Sequence, residues 1–363
     1  MLNRFRLCTR TSGTGSTQGP GFAGRGTGRF VNHSIHALCL FAMGVLLVAG
    51  SLSLASNAEA QNYPTKPVTM IVPHPPGAAT DGIARGVAQG LSKLWGQTII
   101  VENKPGANQI LAAEYTARSA PDGYTILVVA DAPVAMNQYL YAKLPYNPDK
   151  DLMPITRWVE VHSALIVQAS LPVSNAKEFV GYMKQNGSKL NYSSPGFGDN
   201  SHINMEWFKK VAGFEMLHIP YVGMAAAVQA LLTGDAQAVI CSIITADQHI
   251  KTGKLKPLAI SGSVRSSLYP NMQTFTEAGY PNVSSSFLLG LVAPAGTPAP
   301  IIAKIAADTK KVLFDPAFRA KYTTPFEYEM GGDGPEEFAA YIKKKQAMWE
   351  TRIKAAGVER SLN

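Results

Sequence analysis

Charge is scarce in this chain. Only 16% of its 363 residues are Asp, Glu, Lys or Arg, against 46% apolar, a balance that excludes a disordered protein. Cysteine is scarcer: Cys8 and Cys39 precede residue 60, leaving Cys241 alone in the remainder. No internal disulfide can then staple the fold, which must rest on a packed core. Long Lys/Arg runs are missing too. The histidines beyond residue 60 (74, 162, 202, 218 and 249) are scattered, with neither HExxH nor Cys/His spacing, which argues against a metal site. At ~100–200 residues per domain the length predicts two domains with ample core.

The first 60 residues have an order of their own. Arg4, Arg6, Arg10, Arg25 and Arg29 stand in an acid-free stretch, Ala37 to Leu54 is uncharged and apolar, and Ala58-Glu59-Ala60 follows. Basic, apolar, then small-x-small is the arrangement of a secretory signal, here cleaved after Ala60. An uncleaved anchor competes, because the apolar stretch nears spanning length. The absence of an Arg-Arg pair favours the general secretion route. Export would place the mature chain outside the cytoplasm. Removing residues 1–60 takes 5 of 33 basic and 1 of 25 acidic residues, leaving 28 against 24, or +4 instead of +8. That is ordinary surface charge, and nucleic acid loses its support as a partner.

Beyond residue 60, short apolar runs alternate with helical periodicity, which predicts an α/β fold with largely parallel sheets. Strands are expected at 68–72, 98–101, 125–130, 164–167, 190–193, 216–219, 238–241, 255–260 and 288–292. Helices are expected between them, including one at 175–185 capped by Ser174. A C-terminal helix opens at Pro335 with Glu336 and Glu337 in its first turn. Phe338, Tyr341, Ile342, Met348, Trp349 and Ile353 form its apolar stripe. The late strand can return to the first set, so we expect two lobes joined by two crossing segments: 61–165 with 286–363, and 166–285. Ligands of such sheets lie at strand C-terminal ends.

Two strand-to-helix loops carry the chemistry. Pro73-His74-Pro75-Pro76-Gly77-Ala78-Ala79-Thr80-Asp81 combines rigid prolines, a glycine for close approach and the free amides of a helix N-terminus, a ready carboxylate site. Its plainer reading is a turn in which Thr80 or Asp81 caps the helix. Ser193 to His202 (SSPGFGDNSH) repeats the arrangement with two glycines, without a dinucleotide fingerprint or P-loop lysine. Facing each other across a cleft, two such termini would clamp acid groups. Ser194, Asp199 and His202 also suggest a triad, and a hydrolase using Ser194 or Cys241 is the reading from another class. No G-x-S-x-G elbow is present, however, and three neighbours in one turn seldom supply triad geometry. Cys241 at a strand end reads as a small buried hydrophobe.

These residues resemble the Bug-type receptors, the periplasmic solute-binding components of tripartite tricarboxylate transporters. The likeness runs through YPTKP (63–67), IVPHPPGAATD (71–81), VENKPGA (101–107), PDGYT (121–125), KLPYNPDKDL (143–152), LNYSSPGFGDNSH (190–202), HIPYVG (218–223), HIKTGKLKPLAISG (249–262), TFTEAGYPN (274–282) and APAGTP (293–298). It implies a two-lobed Venus flytrap of the periplasmic-binding-protein fold, with no cofactor, no metal and no catalysis. It also implies a small organic acid in the cleft and, as partners, membrane permease subunits; the alternative partner is a membrane sensor kinase. Carried over, the ligand contacts are His74, Pro75, Gly77, Ala78, Ala79, Thr80, Asp131, Ala132, Ser194, Gly196, Gly198, Asp199, Ser201, His202, Tyr221 and Cys241. Several depart from the family pattern: His74 for an aromatic, Ala78 for glycine, Asp199 for Ser or Thr, Asp131 for a small residue, and Cys241 for Asp. The lost Asp argues against an α-amino acid. The two added acids would repel a polyanion unless they point away, pair with His74, or meet a cationic ligand group. The expectation is therefore a monocarboxylate or aromatic acid instead of citrate.

Overall fold

The computed structural model describes residues 62–283 and 286–358; the expected signal, residues 1–60, and its cleavage point lie outside the described residues. Strands β1 (Val68–Val72), β2 (Ile99–Asn103) and β3 (Thr125–Val129) alternate with helices α1 (Ala79–Trp95) and α2 (Ile110–Ala117). A π-helical turn at Ala132–Met136 leads into the short α3 (Asn137–Leu140). Strand β4 (Leu152–Gln168) then opens the second set: α4 (Ala176–Asn186), β5 (Asn191–Ser194), α5 (Asn200–Ala212), β6 (Leu217–Pro220), α6 (Met224–Thr233), β7 (Ala238–Ser242), α7 (Ile243–Lys251), β8 (Leu255–Ile260) and β9 (Gln273–Thr274). The chain returns through β10 (Ser286–Pro294), α8 (Ala299–Leu313), α9 (Pro316–Tyr322), β11 (Glu329–Met330) and α10 (Pro335–Ala356). No described helix is long and apolar enough to cross a membrane.

The architecture turns on β4. Residues 152–162 pair antiparallel with β10, whereas residues 163–168 pair with β7 on one edge and β8 on the other. One strand thus belongs to two sheets and changes partners between His162 and Ser163. Apolar clusters cover both faces of each. In the first sheet Val68, Met70, Ile126 and Val128 meet α1 and α8, while Ile71, Leu127 and Val129 meet α2 and α10. In the second, Leu165, Tyr192 and Ile240 meet α4 and α5, while Ala164, Ile166 and Val239 meet α6 and α7. These are two three-layer α/β lobes.

Strand β4 runs 17 residues, much longer than the four-residue strand expected from the sequence. Pro154 lies within it, although proline cannot donate to a ladder. It pairs with Val292 where the register to β10 shifts, an irregularity that absorbs the missing N–H. A second correction concerns α4, which is capped by the Asn175 side chain accepting from Glu178 N and not by Ser174.

Candidate functional site

Register decides where the loops lie. β3 is antiparallel to β10 and β10 to β4, so β1, β2 and β3 run the way β4 travels, toward the second lobe. β7 is antiparallel to β4 and parallel to β5, which is parallel to β6, so these strands run back toward the first lobe. β3 ends at Val129, level with Gly290 and through it Arg157, and β7 ends at Ser242, level with Ser163. The C-terminal strand ends of both lobes therefore converge on the stretch 157–163 of β4. Both candidate loops leave from those ends, after β1 and β5. The first turn of α5 also packs into the first lobe, where Ile203 joins Ile71, Val129 and Val134.

The first loop is held from within. Gly77 N donates to Asp81 Oδ2 at 2.9 Å, Arg85 Nε donates to the same oxygen at 2.9 Å, and Asn103 Nδ2 reaches both Asp81 Oδ1 and His74 O at 2.8 Å. Asp81 is thus the inward brace, with its carboxyl held below the usual range: burial raises it, and Arg85, Asn103 and the Gly77 amide outweigh that. Ala78 is the N-cap and offers no side-chain cap, so the amides of Ala79 and Thr80 begin α1 without intrahelical partners. Gly77 has φ +82° and open space where a Cβ would project. His74 Nδ1 is buried without a hydrogen-bond partner, and burial lowers the ring pKa to about 4. It makes no ion pair with Asp131 or Asp199 among the described residues.

The second loop is braced by its neighbours. Tyr221 N donates to Ser194 O at 2.9 Å and Gly223 N to Pro195 O at 3.3 Å, tying the segment that starts α6 to the segment that starts α5. Gly196 and Gly223 open onto free space. Asp199 caps α5, its Oδ1 accepting from Ser201 N at 2.8 Å. Burial pushes its carboxyl up to about 6 against the pull of the Ser201 and Asn200 amides. His202 Nδ1 accepts from Gly198 N at 3.1 Å, which fixes that nitrogen as the unprotonated one.

A ring column that the sequence did not reveal stands behind this loop. His202 and His218, expected as scattered residues, stack at 4.0 Å, with Phe197 on His202 at 4.8 Å and Tyr192 on His218 at 4.9 Å. Burial first, then the neighbouring ring and Lys209, hold His202 at about 3; burial and Lys209 outweigh Glu206 and hold His218 at about 4. His218 lies within the HIPYVG segment, but only the β5–β6 register, which sets Tyr192 beside it, gives it a role.

Four of the sixteen expected contacts, Asp131, Ser194, Ser201 and Cys241, have side chains committed elsewhere. Asp131 is buried, its Oδ1 accepting from Trp349 Nε1 at 2.7 Å and its Oδ2 from Leu288 N at 2.8 Å, with Lys345 Nζ at 3.6 Å. Ser201 Oγ donates to Ile240 O at 2.5 Å. Cys241 lies in the apolar cluster of the second sheet, and burial pushes its thiol up to about 12. Pro75 and Ala79 are exposed, while Ala132 is buried at the start of the π turn. The triad members are not assembled: Ser194 is fully buried, its hydroxyl meets His218 Nε2 at 2.6 Å and Gly196 O at 2.9 Å, and Asp199 faces its own helix amide.

No lysine or arginine stands in either loop, so an anion here would be held by amides, hydroxyls and helix dipoles. A groove of about 550 Å³ between α1, α8 and α9, lined by Gly86, Gln89, Val312 and Phe318, lies on the outer side of the first lobe, away from the converging strand ends.

Comparison with known proteins supplies the context for this geometry. The model of the tripartite tricarboxylate transporter family receptor matches residues 83–358. Among solved structures, an R. palustris protein, Rpa4515, determined with adipate superposes with a TM-score of 0.75 at 29% identity, covering 81% of this chain and 98% of that one. The periplasmic binding protein BugD gives 0.73 at 32%, covering 82% and 99%. MatC of Rhodopseudomonas palustris with bound malate gives 0.72 at 30%, covering 80% and 100%.

Proposed function

The chain belongs to the tripartite tricarboxylate transporter receptor family, and from that premise we propose that it captures a small organic carboxylate between the Gly77–Thr80 and Ser194–Ser201 loops. The observation that carries the reading is the convergence of both loops, each opening a helix N-terminus, on the 157–163 stretch of β4. Two opposed sets of amides suit two acid groups at the ends of one short chain. The expectation of a monocarboxylate rested on repulsion by Asp131 and Asp199. With Asp131 committed to Trp349, Leu288 and Lys345, its share of that repulsion is offset, and a linear dicarboxylate of the kind bound by Rpa4515 and MatC becomes the first candidate. Citrate, with a third charge and no cation to meet it, remains disfavoured. Delivery to membrane permease subunits after export to the periplasm completes the proposal.

A thermal-shift screen of residues 61–363 against adipate, malate, citrate, benzoate, amino acids and neutral amides tests it. A ligand at about 100 times its Kd adds about 2.7 kcal/mol, roughly 2–4 °C or more for domains of this size. We expect adipate or malate to raise Tm and citrate not to. Silence across all the acids, with a response to amines or amides, would overturn the carboxylate assignment.

A further inference from the structure

Asp199 is an odd residue to find in a loop read as a carboxylate site. It occupies the N-cap of α5, half-buried, with one oxygen on Ser201 N. No lysine, arginine or histidine among the described residues lies within ion-pair distance of it. The ionisable groups on the elements packed around α5 are engaged elsewhere. On α10, Arg352 donates to Asn204 Oδ1 at 2.5 Å and Lys345 to Glu160 Oε1 at 2.7 Å. On β6, His218 meets Ser194 Oγ, and on β5, Tyr192 donates to Glu206 Oε1, which Lys209 of α5 also contacts. On β7, the Cys241 thiol faces the apolar cluster. His202, in the same helical turn, is neutral and accepts from Gly198 N.

A ligand carboxylate on the remaining amides of this turn would sit beside the Asp199 carboxylate with nothing positive between them. Two carboxylates sharing one site do not both stay ionised, and one takes up a proton. We propose that Asp199 binds the ligand as a carboxylic acid: it takes a proton from solvent as the acid docks, and its O–H then donates to the ligand carboxylate while Oδ1 keeps the helix cap. The proton comes from the buffer acid, whose bond to hydrogen breaks and whose conjugate base stays in solution, and no bond of the ligand breaks. The free group is already poised for it, since burial holds its carboxyl at about 6. The inference deepens the carboxylate-receptor reading and rests on it. The ligand class it selects is an acid whose carboxylate is ionised at working pH and can share a proton, not an acid bearing an ammonium group near that loop.

Proton linkage sets the sign. The folded pKa of Asp199 rises further on binding, so binding takes up protons above the free pKa and affinity weakens as pH rises. Titration calorimetry with adipate, malate and benzoate, in two buffers of different ionisation enthalpy, measures the uptake. Near pH 7.5 we expect uptake approaching one proton per ligand, falling toward none near pH 5.5, with Kd weakening toward tenfold per pH unit, as one linked proton requires. Asp199→Asn keeps an equivalent cap but cannot ionise: its uptake should vanish and its Kd become flat with pH. Asp199→Ser, a second capping variant, stands in if the first fails to fold. Binding of any of these acids without proton uptake, or uptake that persists in both variants, overturns this inference and leaves the receptor reading intact. Absence of binding by all three acids at every pH overturns both.

Discussion

Gly77 shows how narrow the tolerances of the first loop are. At φ +82° with free space ahead of it, an alanine there strains the backbone by roughly 1–2 kcal/mol and puts a methyl group where the ligand would approach. Gly77→Ala should lower Tm modestly and weaken acid binding at least tenfold; unchanged affinity by calorimetry would remove this loop from the site. His202 offers a test in pH. Its folded pKa of about 3 lies below the unfolded value, so the unfolded state binds more protons as pH falls, and stability present above about 6.5 drains away toward about 3. His74 and His218 act in the same sense, and the raised carboxyls of Asp199 and Asp131 oppose them. The comparison with His202→Gln isolates one ring. Its deficit in urea midpoint should shrink as pH drops through that window, whereas a constant gap would show that His202 does not stay neutral in the folded chain.

Among the elements, α10 does more than cover the first sheet. Its inner face carries Lys345, Gln346 and Arg352 beside Phe338, Ile342, Trp349 and Ile353. Lys345 Nζ reaches Glu160 Oε1 at 2.7 Å and Asp131 Oδ1 at 3.6 Å, while Ser286 and Tyr341 also donate to Glu160. Burial would raise the Glu160 carboxyl, but these partners hold it at about 2; its contribution is present above about 4.5 and is lost as pH falls toward 2. Lys345→Met leaves Asp131 without its cation and Glu160 with only Arg157 Nη1, at 3.4 Å, and should cost about 3 kcal/mol, read as a fall in urea midpoint that Glu160→Gln partly restores. A loss below 1 kcal/mol would show the pair to be solvated. The apolar half of this stripe was legible at helical spacing. The polar half was not, because Lys, Gln and Arg in a sequence read as solvent-facing until partners such as Asp131 and Asn204, distant in the chain, are known. Pro154 hid most of β4 in the same way, because the bulge at Ile155 that accommodates it shows only once β10 is paired alongside. The two loops were readable because proline, glycine and capping residues act locally, and so was Asp199 as an unusual acid. That Asp131 turns inward depends on Trp349, 218 residues away.

At the scale of the molecule, the two lobes share β4, and α5 of the second lobe packs on α10 of the first through Arg352 and Asn204. On the proposed reading, a ligand bridging both loops would draw the lobes together about the 157–163 stretch, a hinge closure open to such a layout. The change must come from contacts made only in the closed state. Hydrogen–deuterium exchange with and without saturating adipate tests this central claim most directly. The account predicts protection of residues 74–81 and 194–202 together, with the outer faces of α1 and α4 unchanged. Protection confined to one loop, or centred on the groove between α1, α8 and α9, would contradict it.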